Sequence, residues 1–261
     1  MSVTRLPPNF TLMESTPSKY RYFITLSYDG TRYHGWQIQP NGDSVQERLQ
    51  EALSTLLREE VTVTGAGRTD AGVHARMMVA HFDFATPIDG QQLTYKLNKI
   101  LPYDIAVEKV EQVSEDMHAR FSATSRTYHY YIHTQKDPFQ RAYSCELHYA
   151  LDFEKMNEAC RILMTYEDFG AFCKAGADVK TTLCQVTAAR WVQTSETTWY
   201  LEITANRFLR NMVRAVVGTM IDVGRGRLSL EDFRKVIEGK QRSDAGESMP
   251  GHALFLEKVA Y

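Results

Sequence analysis

The chain has 261 residues, 43% of them hydrophobic, with 30 Lys plus Arg against 32 Asp plus Glu. That length suits two domains better than one, since domains cluster around roughly 100–150 residues. A near-balanced charge excludes a global field that attracts polyanions, so any nucleic-acid surface has to be local.

Residues 1–20 hold three prolines and no apolar run of signal-peptide kind, and read as a flexible leader. No segment approaches the ~20 apolar residues of a membrane span. From Arg21 the stretch RYFITLSY alternates as a half-buried strand, and TRYHGWQIQPNGD reads as a long loop. Ser44, followed three residues later by Glu47, opens a helix on which Val45, Leu49, Leu53, Leu56 and Leu57 recur through Glu59. Val61 to Thr64 is a short strand, a glycine-rich loop follows, and Met78 to Phe84 alternates again. Residues 90–101 place Leu93, Leu97, Ile100 and Leu101 on one helical face, and Ile105 to Val113 is a strand. The second half repeats the order: strand 126–133, helix 152–164, strands 186–193 and 199–205, helix 207–223, an added helix from Ser229, and strand 254–259. The expectation is an α+β fold of two ferredoxin-like (β-α-β-β-α-β) domains, residues 21–115 and 116–261, whose antiparallel sheets flank a central cleft.

Cys145, Cys160, Cys173 and Cys184 stand 11 to 15 residues apart without a CxxC pair. That spacing argues against a zinc knuckle and provides no disulfide framework, so reduced thiols in a cytoplasm are expected.

The loop GAGRTDAG, residues 65–72, carries the most chemistry. A dinucleotide-binding reading fails because Asp70 occupies the place of the third glycine and the chain runs on into a strand instead of a helix. Asp70 alone is compatible with a turn residue bonded to its own backbone. Arg68 two positions before it, with small residues on either side, favours a functional carboxylate at a sugar or base. In RFLRNMVRAVVGTMIDVGRGR, a helix starting at Arg207 puts Arg207, Arg210, Asn211 and Arg214 on one face, with Gly218 extending it by one turn. With Arg225 and Arg227 beyond, this is either a solvated stripe or a phosphate-facing patch, and Arg214 is a candidate partner for the carboxylate. In ARFSATSRTYHYYIHT, Tyr128 and Tyr130 face one way and His129 and Tyr131 the other. Core packing explains any one aromatic, but two opposed rows leave some ring to face the cleft and stack on a base. His129 and His133 lack the pattern of a metal site.

In order along the chain, YDGTRYHGWQIQ with SVQERLQEAL, GAGRTDAGVHA, ARFSATSRTYHYYI and RFLRNMVRAVVGTMIDVG resemble the sequence blocks of the TruA family of tRNA pseudouridine synthases. Two departures are visible: Cys184 lies where the family has an arginine nearby, and Ala253 stands at a usual glycine. The resemblance implies conversion of uridine to pseudouridine at positions 38, 39 and 40 of the tRNA anticodon stem-loop, by a homodimer without metal or organic cofactor. It further implies that Asp70 is the catalytic aspartate and Arg214 its partner. It also implies that Tyr128 packs on the target base and that Arg68 assists nucleotide flipping, while the local basic charge of Arg207, Arg210, Arg225 and Arg227 leads to the expectation that they contact RNA phosphates. The rival reading is a non-catalytic RNA-binding protein or tRNA chaperone, which would have no use for Asp70 in a groove that holds phosphate.

Overall fold

The computed structural model describes residues 19–177 and 179–261. All but the last two residues of the expected leader lie outside that range, and Tyr20 already belongs to the first strand. In chain order the elements are β1 (Tyr20–Tyr28), α1 (Val45–Leu57), β2 (Thr64–Gly65), β3 (His74–Phe84), α2 (Gly90–Ile100) and β4 (Ile105–Val113). There follow β5 (Ser125–His133), β6 (Cys145–Glu146), α3 (Phe153–Leu163), β7 (Val186–Gln193), β8 (Thr198–Ala205), α4 (Met212–Gly224), α5 (Leu230–Gly239) and β9 (Leu254–Ala260). Local chemistry sets the helix starts: the side chains of Ser44, Asp89, Asp152 and Ser229 accept backbone N–H groups of Glu47, Gln92, Lys155 and Asp232. Arg58 ends α1 in the left-handed region at φ 59°.

The expectation of two separate sheets is corrected. The strands form one mixed, mostly antiparallel sheet in the order β4-β1-β3-β9-β5-β8-β7, with β2 on β3 and β6 on β5. The join is a short parallel pairing of His74–Ala75 with Phe255–Leu256. It was hidden from local pattern because β3 was expected to begin at Met78. Its first residues pair with β9 some 180 positions away as well as with Tyr28, and a register shift opposite Leu26–Tyr28 interrupts the alternation.

Two buried clusters lie against this sheet. One is built on Tyr22, Ile24, Leu26, Leu49, Leu53, Met78, Phe82 and Leu97. The other is built on Tyr130, Ile132, Met156, Leu163, Leu201, Ile203, Val216, Met220 and Phe233. Each such side chain contributes about 1.5–3 kcal/mol by leaving water. Tyr128 packs against both clusters, which places the middle of β5 at their junction.

The second correction concerns the arginine segment. The helix expected from Arg207 begins at Met212, because Asn211 adopts φ 66°, a left-handed conformation that Asn tolerates and that breaks the helical run. Arg207 and Arg210 therefore sit in the loop entering α4, off the face that carries Arg214. Nor does Gly218 extend a basic face. A Cβ there would lie 1.8 Å from the Glu247 carbonyl oxygen, so this glycine lets the 245–249 segment cross directly over α4. Ala253 does not have a positive φ, so the methyl in place of the family's glycine strains nothing there.

Candidate active site at the junction of the two cores

The loop between β2 and β3 is fastened on both sides of Asp70. Thr69 is buried, its hydroxyl 2.9 Å from the buried Tyr28 hydroxyl, and its carbonyl accepts the Trp36 N–H. Gly72 N–H donates to the Tyr33 carbonyl and Val73 N–H to that of Asp70. Two glycines make this possible by close approach: a Cβ on Gly35, at φ 95°, would meet the Thr69 oxygen at 2.2 Å, and one on Gly65 would meet the Trp36 ring at 2.5 Å. Ala66 is buried at 2% exposure. Gly67 is the open position, since a Cβ there would have no heavy atom within 4 Å.

Asp70 projects from this braced loop towards α4, where Arg214 Nη1 donates to its Oδ2 at 3.2 Å. The pair is mostly screened from water, with the side chains 27% and 22% exposed. Arg214 is itself held by an Nε–H bond to the Met249 carbonyl, and Met249 N–H returns a bond to the Arg214 carbonyl. The strap bearing Met249 is tied down by Arg242, which donates to the carbonyls of Ala245 and Gly246 and to the Ser248 hydroxyl.

Tyr128 is half-buried, and Phe208 packs edge-on to its ring at 5.1 Å and 88°. Burial pushes its phenol up to about 12, with the Asp70 charge adding to the effect, so the hydroxyl stays protonated near neutral pH and offers a surface more than a base. Two residues earlier on the same strand face, Arg126 spends its guanidinium on four carbonyls: Ala123 and Asn206 from Nη1, Ala66 and Arg120 from Nη2. Burial lowers its pKa. Phe208, Arg126 and Met249 escaped the reading of the sequence, although the alternation that singles out Tyr128 and Tyr130 also selects Arg126.

The remaining basic residues do not all gather here. Arg68 is exposed on the loop. Arg210 is exposed just before α4, and Arg207 is half-committed to the carbonyls of Thr181 and Leu183. Arg225 stacks 3.9 Å over the Tyr149 ring, and with Arg227 it follows the far end of α4, roughly 16 Å along the axis from Arg214. Two cavities, about 490 Å³ beside Tyr149 and Trp199 and about 310 Å³ beside His81 and Asp83, lie away from Asp70. Neither cavity is lined by Asp70, whose side chain stays 27% exposed. Among the described residues, no group of three or more His, Cys, Asp or Glu side chains is placed to hold a metal ion.

A braced, guanidinium-paired carboxylate left part-exposed on an α+β sheet protein is an enzyme's arrangement. The chain belongs to the tRNA pseudouridine synthase family, whose model matches residues 24–122 and 159–261. It is 58% identical over 245 residues to tRNA pseudouridine synthase A of Bacteroides fragilis, covering 94% of this chain and 97% of the relative. It is 55% identical to that of Porphyromonas gingivalis over 244 residues, 92% and 97% of the two chains. With that of Bacillus subtilis it shares 39% identity over 245 residues, 92% and 99% of the two chains.

Proposed function

We propose that this protein isomerises uridine to pseudouridine in tRNA, at positions 38, 39 and 40 of the anticodon stem-loop, with Asp70 as the catalytic carboxylate. The observation that carries this reading is the 3.2 Å pairing of Asp70 with Arg214 across 144 positions of sequence, both side chains part-exposed, in a member of this family. In the reaction the N1–C1′ bond breaks, the uracil turns over, C5 joins C1′, the C5 proton is lost and N1 gains one. An ionised carboxylate beside C1′ serves either by bonding to C1′ as N1 leaves, or by removing the C2′ proton to give a glycal. The target base has to leave its stack, at a cost of a few kcal/mol. In this reading Arg68 assists that eversion from the exposed side of the loop, and Tyr128 packs on the base once it is in place. Arg207 and Arg210, with Arg225 and Arg227 farther along α4, hold phosphates and position the stem without reading its sequence.

The same proposal treats residues 21–115 and 116–261 as two ferredoxin-like domains. It is supported by the matching strand orders β4-β1-β3-β2 and β9-β5-β8-β7 in the two halves. It also takes the working form to be a cytoplasmic homodimer. In its support, His129, Tyr131, Tyr200 and Phe255 pack on one another away from both helical cores, with His129 and Tyr200 stacked at 4.4 Å.

The test is incubation of Asp70→Asn with unmodified anticodon stem-loop RNA, without added metal or nucleotide, followed by chemical detection of pseudouridine. Product is expected to disappear while RNA binding persists. A variant that works near the wild-type rate removes Asp70 from the chemistry.

A further inference from the structure

Resting on that reading, we infer that Phe121 is a stacking platform for a nucleobase adjoining the everted uridine. Most large apolar side chains of this protein are buried, but the Phe121 ring is 76% exposed. It is not a loose loop residue. His118 Nδ1 accepts both the Arg120 and the Phe121 N–H, Ser122 N–H donates to the His118 carbonyl, and the Ser122 hydroxyl accepts the His118 N–H. The His118 ring packs against Phe121 at 4.4 Å, tilted by 34°, and burial lowers its pKa, while the phenyl itself stays largely open to solvent. The Arg120 guanidinium carbon stands over the ring, 5.6 Å from its centroid, which adds a cation to the platform.

The platform is coupled to the catalytic loop through a single nitrogen. Arg126 Nη2 donates to the carbonyl of Arg120 at 2.6 Å and to that of Ala66 at 2.9 Å. Asp70 follows Ala66 by four residues, a span of at most roughly 14 Å, and the intervening Gly67 and Arg68 form the open, exposed side of the loop. A largely exposed apolar ring packed on an imidazole, accompanied by a guanidinium and set within reach of the carboxylate has the composition of a site that takes a base by its π face. A protein partner would call for neighbouring apolar area. Here the exposed neighbours of the phenyl are Arg120 and the polar Ser122 loop. Platform and carboxylate being held in one rigid frame, an adjacent base stacked on Phe121 fixes the register in which the target ribose meets Asp70.

The experiment compares wild type, Phe121→Ala and Phe121→Tyr on an anticodon stem-loop RNA, reading kcat and KM separately. It also follows the fluorescence of 2-aminopurine placed next to the target uridine on binding to the Asp70→Asn protein with and without Phe121→Ala. Phe121→Ala is expected to keep the wild-type melting temperature and lose roughly 10-fold or more in kcat/KM. Phe121→Tyr should restore the activity, and the quenching of 2-aminopurine should require the ring. An alanine variant with wild-type kcat/KM, or quenching that survives it, overturns the inference while wild-type activity stands. Lack of any pseudouridine from the wild type would instead strike at the proposed function itself.

Discussion

Gly218→Ala tests whether the crossing of the 245–249 strap over α4 governs the site. On an exposed helix the change would stabilise by about 1 kcal/mol through helix propensity. Here the new methyl would lie 1.8 Å from the Glu247 carbonyl oxygen and 3.0 Å from its carbon, and the clash is with backbone that has no rotamer to change. The strap cannot simply lift. Gly246 packs its own Cα against Gly218 and Thr219, and its N–H donates to the Thr219 hydroxyl at 2.9 Å. Overpacking of this kind costs about 1–3 kcal/mol and sometimes more, so a net loss of about 2 kcal/mol is expected, lowering Tm by roughly 4–8 °C in a protein of this size. Relief comes by moving the strap outward, and the strap carries the Met249 carbonyl that fixes Arg214. Single-turnover rates on stem-loop RNA should therefore fall by about 10-fold or more, since displacements near 1 Å in positioning groups carry costs of that order. Unfolding by heat and by urea, with rates measured well below the variant's Tm, separates the two effects. A variant of equal or higher Tm with an unchanged rate would refute the argument.

Gly67→Ala is the converse case. With no neighbour within 4 Å the methyl should leave stability within about 0.5 kcal/mol of wild type, yet lower kcat/KM by about 10-fold if the nucleotide enters over this edge; an unchanged kcat/KM would place the RNA elsewhere. His81 supplies a pH dependence. Burial, then the charges of His118 and Arg21, lower its pKa from 6.5 to about 4. The folded state thus binds the proton less well than the unfolded chain. The stability contribution is fully present above the unfolded pKa near 6.5 and is lost as pH falls towards 4, about 3 kcal/mol in all. A Gln at this position keeps an acceptor for the Ala119 N–H that now bonds His81 Nδ1. His81→Gln should therefore flatten the loss measured by urea unfolding between pH 7.5 and 4, and parallel curves for the two proteins would show that this imidazole is not the cause.

What the sequence made legible was the part governed by neighbours along the chain. Helix starts followed from Ser44, Asp152 and Ser229 because a cap is a bond over three residues, and β4 and β7 carry their alternation openly. The candidate site was legible as residue types, since a carboxylate among glycines and an arginine helix are visible in any one-dimensional reading. The failures share one cause, long-range contact. Asn211 looked like a helical residue, but its side chain bonds Ser248, and the turn it makes depends on a strap 37 positions away. Gly218 looked like part of a basic face and proved to be a crossing point. Arg126 was invisible as a frame because its four acceptors are main-chain carbonyls, which any sequence would supply.

The placement of the site beside the parallel β3–β9 pairing that joins the two halves has a physical consequence for how they depend on each other. His74 stands at that join, paired with Phe255 and stacked on it at 4.5 Å. Its Nδ1 accepts the Gly30 N–H, so the ring proton resides on Nε2, which donates to the His252 carbonyl at 2.9 Å. Burial lowers the pKa of this imidazole. The Asp29 oxygen 3.1 Å from Nδ1 is therefore a close neighbour and not an ion-pair partner, and it is occupied instead by the N–H and hydroxyl of Thr31. One neutral ring thus fixes the loop after β1, the strand that leaves Asp70, and the turn that follows Met249. Asp70 lies four residues from His74, and the carbonyl that holds Arg214 lies three residues from His252. The carboxylate comes from one half and its guanidinium from the other, and their separation is set where the two are joined. Each half expressed alone would hold only one member of the pair, so the Asp70–Arg214 geometry requires the β3–β9 pairing as directly as it requires the two side chains.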